Sequence, residues 1–166
     1  MSVISHGSRF LGQKVMRKLV YVLLVCAGLA ACDPSDRRPG LWLTGEAAEF
    51  PTDWSFSNAI PEIAIEVQTP YFVPHSVTIW CADVNGELYV GASAPETKRW
   101  PGWVDRDTQV RLRIDGKIYE ARLSPLSTDP ELAPVQQAFA TKYRLQAGAG
   151  APTSSRYWHV TPVNSI

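Results

Sequence analysis

From Glu62 the chain alternates. In EIAIEVQT, Ile63, Ile65 and Val67 fall on one side of an extended backbone, and Glu62, Ala64, Glu66 and Gln68 fall on the other. That period of two is the signature of a half-buried strand. SVTIWCADVNGELYVGAS follows as two β-rich runs around Asn85-Gly86. Asn-Gly suits a type I′ hairpin turn, whose two central residues both need positive φ. PETKRWPGW, residues 95–103, reads as a loop. TQVRLRIDGKIYEARLSPL reads as a second hairpin turning at Asp115-Gly116, with Val110, Leu112 and Ile114 facing away from Gln109, Arg111 and Arg113.

The period then changes. In STDPELAPVQQAFATKYRL, Leu132, Val135, Phe139 and Tyr143 share one face of a helix. Asp129 is the expected cap, Pro130 suits the first turn, and Glu131 suits the positive end. Pro134 removes a backbone bond, so regular helix is expected from Pro134 with a looser turn before it. QAGAGAPTSS reads as a flexible loop and RYWHVTPV as a closing strand. Residues 41–60 read as irregular chain with Trp42, Phe50, Trp54 and Phe56 as anchors. At least six strands with short connections predict a mainly β fold with one or two helices, a small antiparallel barrel that closes its own edges.

One apolar stretch belongs to neither pattern. Leu19 to Ala31 carries no charge, follows Arg17 and Lys18, and ends in small residues at Cys32. It is short for a membrane span, which needs about 20 residues. Its layout is that of an export signal, with the basic end held on the cytoplasmic side. Met16 already opens a complete leader, so residues 1–15 read as lying upstream of the true start. Leu29-Ala30-Ala31-Cys32 resembles the lipobox of bacterial lipoproteins. The resemblance implies a diacylglyceryl group on the Cys32 thiol and cleavage just before it. A plain signal peptide, or a buried apolar helix with incidental cysteines, are the alternatives.

The expected organisation is a signal peptide over 1–31, a lipidated tether over 32–40 and a barrel domain over 41–166. Two acyl chains on one residue would hold the protein stably on a membrane. Asp33 resembles the inner-membrane retention signal of enteric lipoproteins, which implies the periplasmic face of the inner membrane. Cys26 then lies in the removed leader, Cys32 carries lipid and Cys81 stands alone, so neither disulfide nor cysteine metal site is expected. His6, His75 and His159 have no metal-ligand spacing.

Composition changes this little. The 166 residues are 45% hydrophobic and 19% charged, a globular balance. Sixteen basic and sixteen acidic residues cancel, so bulk charge gives no reason to expect nucleic acid. Four of the basic residues precede Asp33 and no acid does, which leaves the remainder mildly acidic at twelve against sixteen.

The stretch LYVGASAPETKRWPGWVDRDTQVRLRIDGKIYEARLSPLSTD, from Leu88 to Asp129, resembles the antiparallel split β-barrel families that bind FMN or a deazaflavin. These are the pyridoxamine-phosphate-oxidase-like and deazaflavin-dependent-nitroreductase-like families. The matching pieces are Tyr89-Val90, Ser93, Lys98, Trp103, Asp107, Val110, Gly116, Tyr119 and Ala121, and YWHVTPV resembles the fold's closing strand. The resemblance spans about residues 60–162. It implies that Lys98, with Arg99 beside it, contacts a cofactor phosphate, for which a point-charge donor is competent; two solvated loop cations is the plain alternative. His75 stands where such families often carry Arg, and Ser76 and Thr78 could donate hydrogen bonds nearby. Trp100 and Trp103 either line a flat pocket or plug the barrel end. Arg111 and Arg113 either grip an anion or form a solvated face, and His75 and His159 are either bases or structural.

The families commonly place the cofactor at a dimer interface, so a homodimer is implied. The chain has no Gly-x-Ser-x-Gly elbow, no Cys-based catalytic signature and no phosphate-cradling glycine loop. Two functions therefore stand at this stage. One is a membrane-anchored flavin-type cofactor binder, a possible oxidoreductase. The other is a non-enzymatic envelope lipoprotein acting as a structural or interaction module.

Overall fold

Both Asn85-Gly86 and Asp115-Gly116 form the expected type I′ turns, with φ of 57° and 85° in the first and 51° and 75° in the second. Each joins two of the strands that build the barrel. The computed structural model describes residues 39–145 and 154–163; the leader, Cys26, Cys32, the tether up to Arg38 and the Gly-Ala loop 146–153 lie outside the described residues.

A short strand β1 (Glu46–Ala47) precedes β2 (Ile63–Val67), β3 (His75–Val84), β4 (Glu87–Ser93), β5 (Gln109–Ile114), β6 (Lys117–Pro125) and β7 (Ser155–Pro162). The helices are α1 (Trp100–Val104) and α2 (Asp129–Tyr143), with 3-10 turns at Ser55–Ala59 and Pro95–Thr97. The strand order is β6-β5-β2-β3-β4-β7, every neighbour antiparallel, and β7 pairs back onto β6. The result is the expected mainly β, antiparallel split barrel of six strands. β1 lies parallel to the start of β6.

The interior is apolar because alternate residues of every strand point inward. Ile63, Ile65, Val67, Cys81, Leu88, Val90, Leu112, Ala121 and Trp158 are all buried there. The outer faces are covered twice. The apolar face of α2 lies on the outside of β3, β4 and β7, where Val135 and Phe139 pack with Ala82 and Tyr157. Gly91 makes that seat possible: a Cβ there would stand 2.9 Å from Phe139.

On the other side, Gly40 bridges to Ser76 and the chain crosses outward of β2, so that Leu43 packs with Ala64 and Ile118. This corrects the expectation of a half-buried strand. β2 is buried on both faces, including Glu66, because a segment more than twenty residues upstream covers its polar side.

Two further expectations give way. Residues 95–103 are not simply a loop: they hold the second 3-10 turn and most of α1, whose Pro101 sits in the first turn, where its missing N–H costs nothing. α2 is regular from Asp129, and the cap is Thr128, not Asp129. The Thr128 carbonyl accepts the amides of Glu131 and Leu132, and its hydroxyl donates to the Glu131 carboxylate at 2.8 Å. Pro134 forfeits one bond on an exposed turn, which the helix tolerates. In the segment 41–60, Trp54 is a buried anchor and Phe50 packs against the core, but Trp42 and Phe56 are exposed.

The C-terminus of α2 repairs a gap in the sheet. In the β2–β3 register Cys81 would face Pro61, which has no N–H and lies just outside β2. The Tyr143 hydroxyl accepts the Cys81 amide at 3.0 Å and lies within 2.9 Å of the Pro61 carbonyl and 2.8 Å of the Cys81 carbonyl. The Lys142 ammonium donates to the carbonyls of Ser57 and Cys81, both at 2.8 Å. Buried backbone groups demand partners, and these two side chains supply them.

Candidate functional site

His75 opens β3 at the end of the barrel where Val67 and Val110 also lie. It faces inward, by the alternation of the strand, and α1 closes over it. The Trp103 ring meets the His75 ring edge to face at 5.0 Å, and Tyr71 meets Trp103 in the same manner at 6.2 Å. Three aromatic rings thus form a wall at the barrel mouth, with Trp103 half-buried and Tyr71 exposed.

Arg99 precedes α1 and lies close enough to act on His75. Burial first, and then the Arg99 charge, hold the His75 imidazole below its ordinary value, so it is neutral at pH 7. Lys98 sits in the loop after β4 and its ammonium donates to the Ser93 carbonyl. Both cations are exposed, and neither forms an ion pair with a described residue. α1 is held in place from its far end, where Arg156 grips the Asp105 carboxylate with both guanidinium nitrogens and lies 4.9 Å over the Trp158 ring.

The predicted residues therefore divide. Arg99, His75 and Trp103 come together, with Lys98 next in the chain. Thr78 is three residues from His75 and so on the opposite face of β3, outward, paired with Ala64. Ser76 shares that outer face but is fully buried where Gly40 bridges it, its hydroxyl without a partner among the described residues. Trp100 fills the barrel interior against Trp158, 5.1 Å between ring centroids, as the plug reading expected. Arg111 lies between Glu66 at 3.0 Å and Glu120 at 3.2 Å, so its charge is already met; no local pattern shows this, since the two acids reach it only through the strand register. His159 stacks on Tyr89 and pairs with Glu87 at 3.4 Å. Tyr89 donates to the same carboxylate, and burial, followed by that contact, pushes its hydroxyl up to about 12.

Sequence reasoning missed Tyr71 altogether. Its signal was the apolar run Tyr71-Phe72-Val73 set between two prolines, an unusual content for a turn.

The wall and its cations fit part of what a flavin-type group needs. Trp103 offers a face for a planar ring, and Lys98 and Arg99 offer charge for a phosphate. His75, held neutral, offers a donor or acceptor where a fixed charge would bind phosphate more strongly. A separate cleft of about 540 Å³ runs between α2 and the β3–β4 turn, lined by Asn58, Asp83, Gln137, Thr141 and Lys142 among others, and by none of the mouth residues. Its lysine is committed to two carbonyls, and its aspartate meets Asn58 through Oδ2 while its buried Oδ1 has no partner among the described residues. Among the described residues no cluster of His, Cys, Asp and Glu could hold a metal ion, and no helix is long and apolar enough to cross a membrane.

Residues 58–160 match the family described as "Uncharacterized protein conserved in bacteria (DUF2255)". No curated protein matches the sequence. Among solved structures, the chain is similar to the conserved hypothetical protein Rv2991 from Mycobacterium tuberculosis, with 16% identity over 65% of this chain and 76% of that one and a TM-score of 0.53. A structure described as a domain-swapped dimer is 13% identical over 61% of this chain and 81% of its own, with a TM-score of 0.51. A FAD-binding protein from Mesorhizobium loti is 10% identical over 64% and 82%, with a TM-score of 0.48. At such identities the likeness is one of fold.

Proposed function

The chain belongs to the DUF2255 family of bacterial proteins, and from that footing we propose that it is a membrane-anchored lipoprotein whose split barrel binds a flavin-type cofactor at the Trp103 mouth. The observation that carries the cofactor reading is the aromatic wall of His75, Trp103 and Tyr71 beside two exposed cations that form no ion pair with a described residue. Trp103 would offer a face to the ring system, and Arg99 and Lys98 would take the phosphate. Lys98 can turn outward at the cost of one hydrogen bond to its own loop. Neutral His75 would offer its ring nitrogens to polar atoms of the ring. When bound, a group of this kind supplies hydride or electron transfer; the protein's part is to hold, orient and shield it. The lipid attachment rests on Leu29-Ala30-Ala31-Cys32; it would put the domain on the outer side of a membrane, with Asp33 favouring the periplasmic face of the inner membrane. A homodimer is the assembly this reading carries.

The test uses the Cys32→Ser chain, titrated with FMN and with a reduced deazaflavin while tryptophan fluorescence and the visible spectrum are followed. Saturable quenching that weakens in Arg99→Ala and in Lys98→Ala, and that falls with added salt, is the expected result. Absence of binding to either cofactor would overturn the reading. Metabolic labelling with a fatty acid, lost in Cys32→Ser, tests the anchor separately.

A second reading has its own observation. Trp100 fills the barrel interior, residues 40–47 cover one outer face, and Arg111 is neutralised, which together favour a non-enzymatic interaction module. It predicts a stable partner and no redox turnover.

A further inference from the structure

The turn between β2 and β3 carries its apolar residues outward. Phe72 is 87% exposed, Tyr71 58% and Val73 38%. Phe72 also sits at φ 62°, a left-handed backbone that a bulky side chain rarely adopts. The turn is not slack. Buried Thr69 braces it from beneath: its carbonyl accepts the Phe72 amide at 3.1 Å and its hydroxyl donates to the Val73 carbonyl at 2.6 Å. An aromatic held in a disfavoured conformation so that it points into water calls for a surface to receive it.

The sequence and the topology say which surface. Gly40 is pinned to Ser76, four residues from Phe72, so the chain enters the domain at the end that carries this turn. Cys32 lies eight residues further back, and a fully extended chain of that length reaches at most about 28 Å. A lipid on Cys32 would hold Gly40 within that distance of the bilayer. Lys98 and Arg99 flank the same end, while Arg37 and Arg38 of the tether are offset by Asp33 and Asp36. Of the acids there, Asp105 is paired with Arg156, and Glu96 keeps its charge beside Lys98 while accepting the Ser154 hydroxyl. The opposite end carries Glu46, Asp53, Glu62, Asp83, Glu87 and Asp115 against Arg113, Lys117 and Lys142, an acidic excess that anionic headgroups would repel.

We propose that the Tyr71-Phe72-Val73 turn is a membrane foot, which seats the Trp103 end of the barrel on an anionic lipid surface with Phe72 in the headgroup–acyl boundary. Aromatic side chains partition to that boundary, and nearby Lys and Arg add attraction to anionic lipid. The inference rests on the lipoprotein reading for its orientation, but the foot can be tested apart from it.

The experiment takes the full chain with Phe72→Trp, purified from membranes and placed in bilayers of phosphatidylethanolamine and phosphatidylglycerol, with and without bromine on the upper acyl carbons. The wild-type signal is subtracted and the lipid on Cys32 is measured by mass spectrometry on the same sample. Loss of most of the fluorescence added by the introduced tryptophan in brominated bilayers supports the foot, whether or not Cys32 is found lipidated. An introduced tryptophan that stays unquenched overturns it, with lipidated Cys32 leaving the anchor standing and unlipidated Cys32 removing both. In the Cys32→Ser background, replacing Tyr71 and Phe72 by Ser should weaken binding to the same vesicles by about tenfold or more. If those substitutions instead abolish a self-association of the chain and leave vesicle binding unchanged, the turn is a dimer contact and the foot is overturned.

Discussion

Tyr143 stands in for a strand: its hydroxyl takes the amide and carbonyl of Cys81 at the place where Pro61 ends the β2 ladder. Tyr143→Phe keeps the ring stacked on Trp80, 4.3 Å between centroids, and removes only this bonding. A buried donor left open costs about 1–3 kcal/mol. Urea denaturation should show a loss in that range with an unchanged slope, and hydrogen exchange should show the Cys81 amide newly exposed. Lys142→Met, which opens the Ser57 and Cys81 carbonyls, should cost a similar amount.

His75 makes the barrel mouth pH-sensitive. Its folded value lies below 6.5 through burial and the Arg99 charge, so the unfolded chain binds the proton first. Its contribution is therefore intact above 6.5, declines as pH falls through 6.5, and levels off below the folded value. Denaturation midpoints measured from pH 7.5 to 5 should fall in the wild type and fall less in His75→Gln. In Arg99→Ala, the His75 midpoint followed by NMR should move up toward 6.5 without reaching it, since burial persists.

Gly91→Ala tests the seat of α2. The added Cβ would meet Phe139 at 2.9 Å and Tyr157 at 3.2 Å, and Phe139 is buried with little freedom to withdraw. Overpacking of this kind costs about 1–3 kcal/mol. Calorimetry should show the loss, and Phe139→Leu in the same chain should recover part of it.

Glu66→Ala should release the N-terminal crossover. The carboxylate accepts the Leu43 amide and two contacts from Arg111 at 3.0 and 3.2 Å. Its loss should cost about 1–3 kcal/mol, expose amides 40–43 to exchange, and make the chain more susceptible to protease ahead of β1.

The two hairpins were legible because Asn-Gly and Asp-Gly state their turn type locally, and the apolar face of α2 was legible because Leu132, Val135, Phe139 and Tyr143 keep a helical period. What escaped depends on contacts across the chain. The polar side of β2 looks solvated until Leu43 is laid over it. α1 hides behind Pro101 and Gly102, which read as loop formers although a proline suits a first helical turn. At the site, Lys98, Arg99 and Trp103 are neighbours in sequence, but the pairing of Trp103 with His75 joins positions 28 apart. The neutralisation of Arg111 needed a register that alternation alone does not give.

The closing pair has a consequence for synthesis. β7 is the last of the described strands, yet it pairs with both β4 and β6. Until it emerges, those two strands present unpaired edges at once, the state in which one chain adds to another. A chain stopped short of Ser155 is then not a slightly trimmed barrel but an open sheet with two adhesive margins. Premature termination near the C-terminus should therefore yield aggregate.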